Sequence, residues 1–252
     1  GFALSGDGFT VIMDYYRDSE DGQAQADLNR LMDGTFSNQE AGMPEGTVHS
    51  ELLRRPGKLY VLASHFHPDH FNKEVLQWRE QRPDIIYIFS KDILRHRRAQ
   101  KEDAVWLKKG EEYKDETLSV RAFGSTDVGV SFLLQTGGKK IFHAGDLNNW
   151  HWMDESTEAE WKGAEKNFLH ELDDLYAYTP EVDVAMFPVD PRLGKEYMRG
   201  AGQFVTKIKT HIFVPMHFTP EYAKANAFRD FAEAHGVRFV SLTHRGQKIE
   251  IE

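Results

Sequence analysis

Four side chains that can ligate a metal lie within six consecutive positions of this sequence. The segment ASHFHPDHFN contains His65, His67, Asp69 and His70. An apolar run precedes these residues and an amphipathic stretch follows them, so they are predicted to lie in a turn between a strand and a helix. Such a turn directs His65 and His67 to one side and the other two side chains to a neighbouring point. The spacing therefore favours two closely placed metal ions over a polar loop whose histidines bond to the backbone.

This HxHxDH pattern resembles the signature loop of the metallo-β-lactamase superfamily of metal-dependent hydrolases. Two later segments, FHAGD at 142–146 and VPMHF at 214–218, resemble its metal-bridging aspartate and its last histidine ligand. The resemblance implies an α+β fold, the αββα four-layer sandwich, and two divalent metal ions. It gives the first ion His65 and His67, the second ion Asp69, His70 and His217, and both ions Asp146. Within the superfamily the chain looks most similar to the lactonase-like and phospholipase-like enzymes.

The superfamily's third histidine for the first ion is missing from this chain. The segment that usually supplies it reads AFGSTDVGVS at 122–131. Asp127 is the best substitute, because a carboxylate is an acceptable ligand for zinc, manganese or iron. Ser-Thr-Asp is also ordinary turn chemistry, so a plain turn residue is the alternative interpretation. His143 is the other candidate ligand, although strand alternation turns it away from the side of Asp146.

The resemblance implies that a metal-bound hydroxide hydrolyses an ester, a lactone or a phosphodiester of a small molecule. The predicted catalytic residues are Asp69 and His217, which protonate the leaving group, and Asp146, which lies between the ions. Zinc is the expected metal, and a carboxylate ligand at Asp127 favours manganese or iron. Three alternatives remain open: an iron-dependent oxidoreductase on the same scaffold, a site with a single metal, and a non-enzymatic metal-binding module.

Residues outside the ligand set are predicted to bind the substrate. Asn148 and Trp150 follow FHAGD and are candidate walls of the substrate pocket. Arg192, in PVDPRLG, is a candidate clamp for an anionic substrate, because a guanidinium binds carboxylates and phosphates in a bidentate manner. The alternative for Arg192 is a surface ion pair with Asp190 or Glu196.

The elements that position these residues are short apolar runs joined by turns. A strand and a turn are predicted in the opening GFALSGDGF, and strands are predicted at Thr10–Asp14, Lys58–Ser64, Ile85–Ser90, Ala104–Leu107, Leu118–Phe123, Val130–Gln135, Lys140–His143, Val182–Phe187, Ile212–Pro215, Arg238–Ser241 and Lys248–Ile251. Asp14 ends one of these strands and either orients a metal ligand or caps a turn.

Helices are predicted from the capping box of Thr157 and Glu160 to Leu175, from Thr219 to Gly236, after Phe71, after Lys91 and over 200–209. Antiparallel runs such as 116–143 favour two sheets faced by helices over a doubly wound parallel sheet.

The composition limits the possible partners. All 252 residues are expected to form one metallo-hydrolase domain, with an inserted loop at 17–56 that contains a helix near Asp27–Met32. The formal charge of −9 argues against nucleic-acid binding, so the expected partner is a small-molecule substrate, anionic if Arg192 binds it. The absence of cysteine excludes thiolate ligands.

No apolar run approaches the ~20 residues of a membrane span and no signal peptide is recognisable, so a cytoplasmic location is expected. The oligomeric state has no sequence signal.

Overall fold

The computed structural model describes residues 1–18, 48 and 53–251. The predicted helix at Asp27–Met32 lies outside the described residues, as does most of the predicted inserted loop at 17–56. The single domain and the cytoplasmic location stay predictions.

A five-stranded sheet carries the N-terminal half of the described chain. Its strands are ordered β1-β2-β3-β4-β5. The strands β1 and β2 form an antiparallel hairpin, and the remaining neighbours are parallel. The five strands are β1 Phe2–Gly6, β2 Phe9–Met13, β3 Lys58–Ala63, β4 Ile86–Ser90 and β5 Val105–Leu107.

A seven-stranded sheet carries the C-terminal half, in the order β12-β11-β10-β9-β8-β7-β6. The strands β9 to β12 are parallel neighbours, whereas β6 to β9 form an antiparallel meander, as the run 116–143 predicts. The seven strands are β6 Glu112–Lys114, β7 Ser119–Phe123, β8 Ser131–Thr136, β9 Lys139–His143, β10 Glu181–Pro188, β11 Lys209–Met216 and β12 Arg238–Phe239.

Apolar side chains on alternate strand positions separate the layers, because successive residues of a strand point to opposite faces. Val11 and Met13 of β2 enter the core that both sheets share, whereas Ile12 points to the outer face of the first sheet. That outer face is covered by α1 Lys91–Arg95 and by 3₁₀ helices at Lys73–Glu80 and Lys101–Asp103.

The outer face of the second sheet is covered by the longest helices. Phe168 of one helix and Phe204 of another pack on Phe187 of β10. The helices are α2 Glu158–Tyr178, α3 Arg199–Lys207, α4 Tyr222–Asn226 and α5 Arg229–Ala234, with a 3₁₀ helix at Pro191–Glu196. The predicted capping box of Thr157 and Glu160 begins α2. The order helix, sheet, sheet, helix confirms the predicted αββα sandwich.

Two predicted elements differ from the structure. The helix expected from Thr219 begins only at Tyr222, because Thr219 has φ of 40° and an N-cap residue needs an extended backbone. The same segment breaks before Arg229, so it forms two short helices. The strand expected at Lys248–Ile251 is not a strand. Its alternating isoleucines pack against the core without pairing.

Within the described part of the chain, no helix has both the length and the apolar character that crossing a bilayer requires.

Candidate metal centre

The HxHxDH loop leaves the end of β3 and is tied to its neighbours by Ser64. The backbone N–H and the hydroxyl of Ser64 donate to the two oxygens of Asp14, at 2.7 and 2.6 Å. Asp14 itself has φ of 49°, which non-glycine residues rarely adopt and which often marks a functional site. Gly129 has φ of 74°, and a Cβ there would overlap the Ser64 carbonyl oxygen and His65. Only glycine therefore lets the loop containing Asp127 approach so closely.

Asp146 lies between two groups of predicted ligands. The first ligand group is His65 and His67, and the second ligand group is Asp69, His70 and His217. The candidate ligand atoms of His65, His67 and Asp146 lie within 4.8 Å of one another. The same holds for the candidate ligand atoms of the second ligand group. One Asp146 oxygen, Oδ2, is 3.3 Å from His65 Nε2. The other, Oδ1, is 3.1 Å from His70 Nε2 and 3.3 Å from His217 Nε2.

Buried carboxylates orient both histidines of the second ligand group. His70 Nδ1–H donates to Asp14 Oδ2 at 2.7 Å, and His217 Nδ1–H donates to Asp190 Oδ2 at 2.8 Å. The role of Asp14 as an orienting residue agrees with one of its two sequence interpretations. The role of Asp190 was missed, because the sequence suggests only a surface ion pair with Arg192. Its position directly after β10, at the same sheet edge as the ligand loops, was the available signal.

The first ligand group is supported differently. His65 Nδ1 lies 3.0 Å from the Ser64 hydroxyl, and His65 Nε2 lies 3.0 Å from His67 Nδ1. Asp127 Oδ2 is 3.8 Å from His67 Nδ1. Asp127 is thus next to His67, one of the two histidines for which the resemblance implies a missing third histidine. His143 is buried behind the site, 3.8 Å from Asp14.

Three side chains of the site, His67, Asp69 and Asp127, are partly exposed and are together called its open side. The side chains of His65, His70 and Asp146 are buried, whereas those of His67, Asp69 and Asp127 are 37%, 57% and 46% exposed. A structural metal site is closed by its ligands, while a catalytic site keeps a position open. These exposures leave part of the site in contact with solvent.

The carboxylates change the pKa of the two histidines that they contact. Burial lowers the pKa of His70, but Asp14 and Asp146 outweigh this effect and raise it to about 10. Burial also lowers the pKa of His217, but its close contacts with Asp146 and Asp190 outweigh this effect and raise it to about 9. Burial alone would raise the pKa of Asp146, but its contacts with His217, His65 and His70 hold it well below the usual range. The carboxylates therefore make the centre favourable for positive charge.

The donor set fits metal ions. Asp146 Oδ1 is buried and has no hydrogen-bond partner among the described residues, although it faces two imidazole nitrogens. A buried anionic oxygen without a donor is costly unless a cation is near it. Imidazole nitrogens and carboxylate oxygens are ligands that zinc, manganese and iron accept.

The three predicted substrate-binding residues lie in different surroundings. The Trp150 ring packs edge-on against His217, with centroids 5.5 Å apart, and its indole N–H donates to the Asp146 carbonyl. Asn148 is fully buried, and its Oδ1 accepts from the Asn149 N–H, so in this structure it supports the loop and does not reach the open side.

Arg192 lies beside the second ligand group. Its guanidinium makes an ion pair with Asp190 at 2.6 Å, and its Nη2 is 3.2 Å from His217 Nδ1. The arginine side chain is 55% exposed. The alternative ion pair with Asp190 is therefore present, and Arg192 is also at the edge of the site.

A sequence profile described as a beta-lactamase superfamily domain matches residues 47–218, which include every predicted metal ligand. Among solved structures, the chain is similar to Igni18, a metallo hydrolase from Ignicoccus hospitalis KIN4/I. The identity is 15% and the TM-score 0.58, over 95% of this chain and 90% of that one. It is also similar to the metallo-beta-lactamase fold protein YhfI from Bacillus subtilis, with 11% identity and a TM-score of 0.56, over 97% and 88% of the two chains.

A third similar structure is CmlA, a diiron beta-hydroxylase from Streptomyces venezuelae. The identity is 14% and the TM-score 0.56, over 94% of this chain and 50% of CmlA. At these identities the similarity shows a shared fold. A search of curated proteins finds no significant match.

Proposed function

This chain belongs to the metallo-β-lactamase superfamily, and from that membership we propose that it is a dinuclear metal-dependent hydrolase of small-molecule esters, lactones or phosphodiesters. The observation that carries the proposal is the position of Asp146, which turns one carboxylate oxygen to each ligand group. A carboxylate so placed lets two cations lie close together without full mutual repulsion. The placement among lactonase-like and phospholipase-like enzymes is part of this proposal.

The proposed ligands divide into two sets that share Asp146. His65, His67 and Asp127 hold one divalent ion, and Asp69, His70 and His217 hold the other. When bound, two such ions would activate water and polarise the substrate oxygen. Zinc is the proposed metal, while the three carboxylates of the combined set also suit manganese or iron.

Of the two residues predicted to protonate the leaving group, Asp69 is the better placed. Both ring nitrogens of His217 are engaged, Nδ1 by Asp190 and Nε2 toward Asp146. Asp69 lies at the open side with more than half of its side chain exposed, and its Oδ2 is 3.6 Å from His70 Nε2. Asp69 is therefore proposed to carry the proton on the carboxylate oxygen that does not hold the ion, whereas His217 is proposed only to hold the metal.

An iron-dependent oxidoreductase is the second candidate function. The observation that favours it is the number of carboxylates, since Asp69, Asp127 and Asp146 lie with four histidines and iron accepts such mixed sets. The open side of the site argues against a non-enzymatic metal-binding module, because such a module needs no open position.

The proposal is tested by assaying zinc-, manganese- and iron-loaded protein against a panel of esters, lactones and phosphodiesters. We expect hydrolysis of at least one class, without oxygen uptake. Oxygen consumption by the iron-loaded protein together with no hydrolysis by any form would favour the oxidoreductase instead.

Asp127→Asn is expected to lower the metal content by about one ion per chain while the fold is retained. Asp127 is half exposed, so its substitution leaves the core intact, but the amide removes the charge nearest to His67. The measurement is metal content by elemental analysis with a circular dichroism spectrum. If the variant still binds two ions per chain, Asp127 is a turn residue and not a metal ligand.

Arg192→Ala is expected to raise KM about tenfold for anionic substrates and little for matched neutral ones. A charge-assisted hydrogen bond contributes about 1.5–3 kcal/mol, and the exposure of Arg192 places its contribution at the lower end. The measurement is kcat and KM for matched ester pairs that differ in charge. Equal effects on both members of the pairs would show that Arg192 acts only through Asp190.

A further inference from the structure

The second ligand group has the support that strong metal binding requires. The Nδ1–H of each of its histidines donates to a buried carboxylate, Asp14 for His70 and Asp190 for His217. Such a bond fixes the tautomer, holds the ring in place and makes the other nitrogen a better electron-pair donor. Both Nε2 atoms consequently face the same point near Asp146.

The first ligand group has weaker support. His65 contacts a neutral hydroxyl, because Ser64 Oγ–H donates to Asp14 and can only accept from the imidazole. His67 presents Nδ1 to the site, and among the described residues nothing hydrogen-bonds to its Nε2. Its ring is 37% exposed, and the nearest additional carboxylate, Asp127, is 46% exposed. Water therefore competes for these ligands, and rotation of both side chains must be stopped when an ion binds.

We propose that the two metal positions are unequal: the second ligand group binds its ion first and retains it, while the first ligand group takes an ion that exchanges. This inference rests on the dinuclear centre of the proposed function. It makes Asp190 a positioning residue for His217, in addition to its ion pair with Arg192. It also gives the missing third imidazole a consequence, because the first ligand group, which lacks that imidazole, is the position that binds its ion less tightly.

The test is a titration of metal-free protein with Co²⁺, followed by the visible absorption of the bound ion in competition with a chelator. The wild-type protein is expected to bind two equivalents, the first at least about tenfold more tightly than the second. Asp190→Asn keeps the shape of the side chain and removes its charge, and it should weaken the first step by about 10- to 100-fold. His67→Ala should remove the second step and leave the first within about twofold of the wild type, because none of its contacts support the second group.

Asp183→Asn is the matched control. Asp183 lies on β10, the strand that precedes Asp190. Its carboxylate accepts a hydrogen bond from the Lys140 backbone N–H, away from the site. It should leave both steps unchanged. If Asp190→Asn does not fold, His67→Ala and Asp127→Asn decide the question, since both side chains are partly exposed.

Several results would overturn the inference. These are two equal steps in the wild type, loss of the first step in His67→Ala, or weakening of only the second step in Asp190→Asn. Two unequal steps without any hydrolysis would support the inference and refute the proposed function. A single equivalent that survives His67→Ala would keep the second group as the stronger position but remove the dinuclear basis of the proposed function.

Discussion

Asp146→Asn is expected to lower kcat/KM by about 100-fold or more and to reduce the metal content to less than two ions per chain. The substitution keeps the size of the side chain and removes the only carboxylate that faces both ligand groups among the described residues. Its new amide N–H₂ would also compete with the cations for the imidazole nitrogens. Because the two ions repel each other, loss of the shared negative charge weakens both positions together.

The measurement combines steady-state kinetics with elemental analysis of the same preparation. Asp173→Asn is a suitable control, since Asp173 pairs with Lys207 on the outer surface of α2 and should retain wild-type kinetics. Full activity with two ions bound to Asp146→Asn would refute the role of Asp146 as the carboxylate that both ions share. Full activity with one ion would leave hydrolysis in place and restrict it to a single metal.

The positions of the candidate ligands at strand ends could be predicted from the sequence, because each of these positions depends on residues close in the chain. His65, His67, Asp69 and His70 share one turn, and Asp146 lies in the short loop after β9 ends at His143. The turn follows β3 of the five-stranded sheet and Asp146 follows β9 of the seven-stranded sheet, so their convergence depends on how the two sheets pack together. The antiparallel meander and the capping box of α2 were predictable for the same reason, since each depends on residues close in the sequence.

The supporting residues could not be predicted in the same way. Asp190 and His217 are 27 residues apart, and only the parallel pairing of β10 and β11 brings them to 2.8 Å. Sequence alone therefore left Asp190 as a surface charge, although it is fully buried. Asn148 was predicted at the pocket wall because it is polar and follows Asp146, but tertiary packing buries it. Burial is a property of the assembled layers, and local composition does not determine it.

The helix after His217 shows a second limit. Thr219 and Pro220 are residue types that commonly begin a helix. The chain instead adopts left-handed backbone at both His217 and Thr219, with φ of 62° and 40°. This turn carries His217 out of β11 and toward Asp146. The backbone conformation of this turn thus overrides the helix preference of Thr219 and Pro220, a conflict that is common at functional sites.

Removal of the metals by a chelator is expected to abolish hydrolysis and to lower Tm by about 10 °C. The proposed ligands follow β3, β9 and β11, so bound ions link loops from both sheets. The more tightly held ion at 1,000 times its Kd would by itself stabilise the native state by about 4 kcal/mol. Each kcal/mol raises Tm by about 2–4 °C for a chain of this size. The measurement is turnover and thermal unfolding before and after chelation, with activity restored by added metal. Normal turnover by fully demetallated protein would refute a metal-dependent reaction.

The same experiment has an expected pH dependence. In the metal-free protein the pKa of His70 is about 10 and that of His217 about 9, both above the ordinary value of 6.5. Groups raised in this way stabilise the metal-free fold fully below about pH 6.5, and their contribution is lost as the pH rises through about 9 and 10. Metal binding has the opposite requirement, because only the neutral imidazoles ligate, so the ions displace these protons and bind more weakly at low pH. Both effects act in one direction, and the difference in Tm between loaded and metal-free protein should widen from about pH 6.5 to about pH 8.5. A difference that stays constant or narrows over this range would mean that His70 and His217 are not held by Asp14, Asp146 and Asp190 in the metal-free protein.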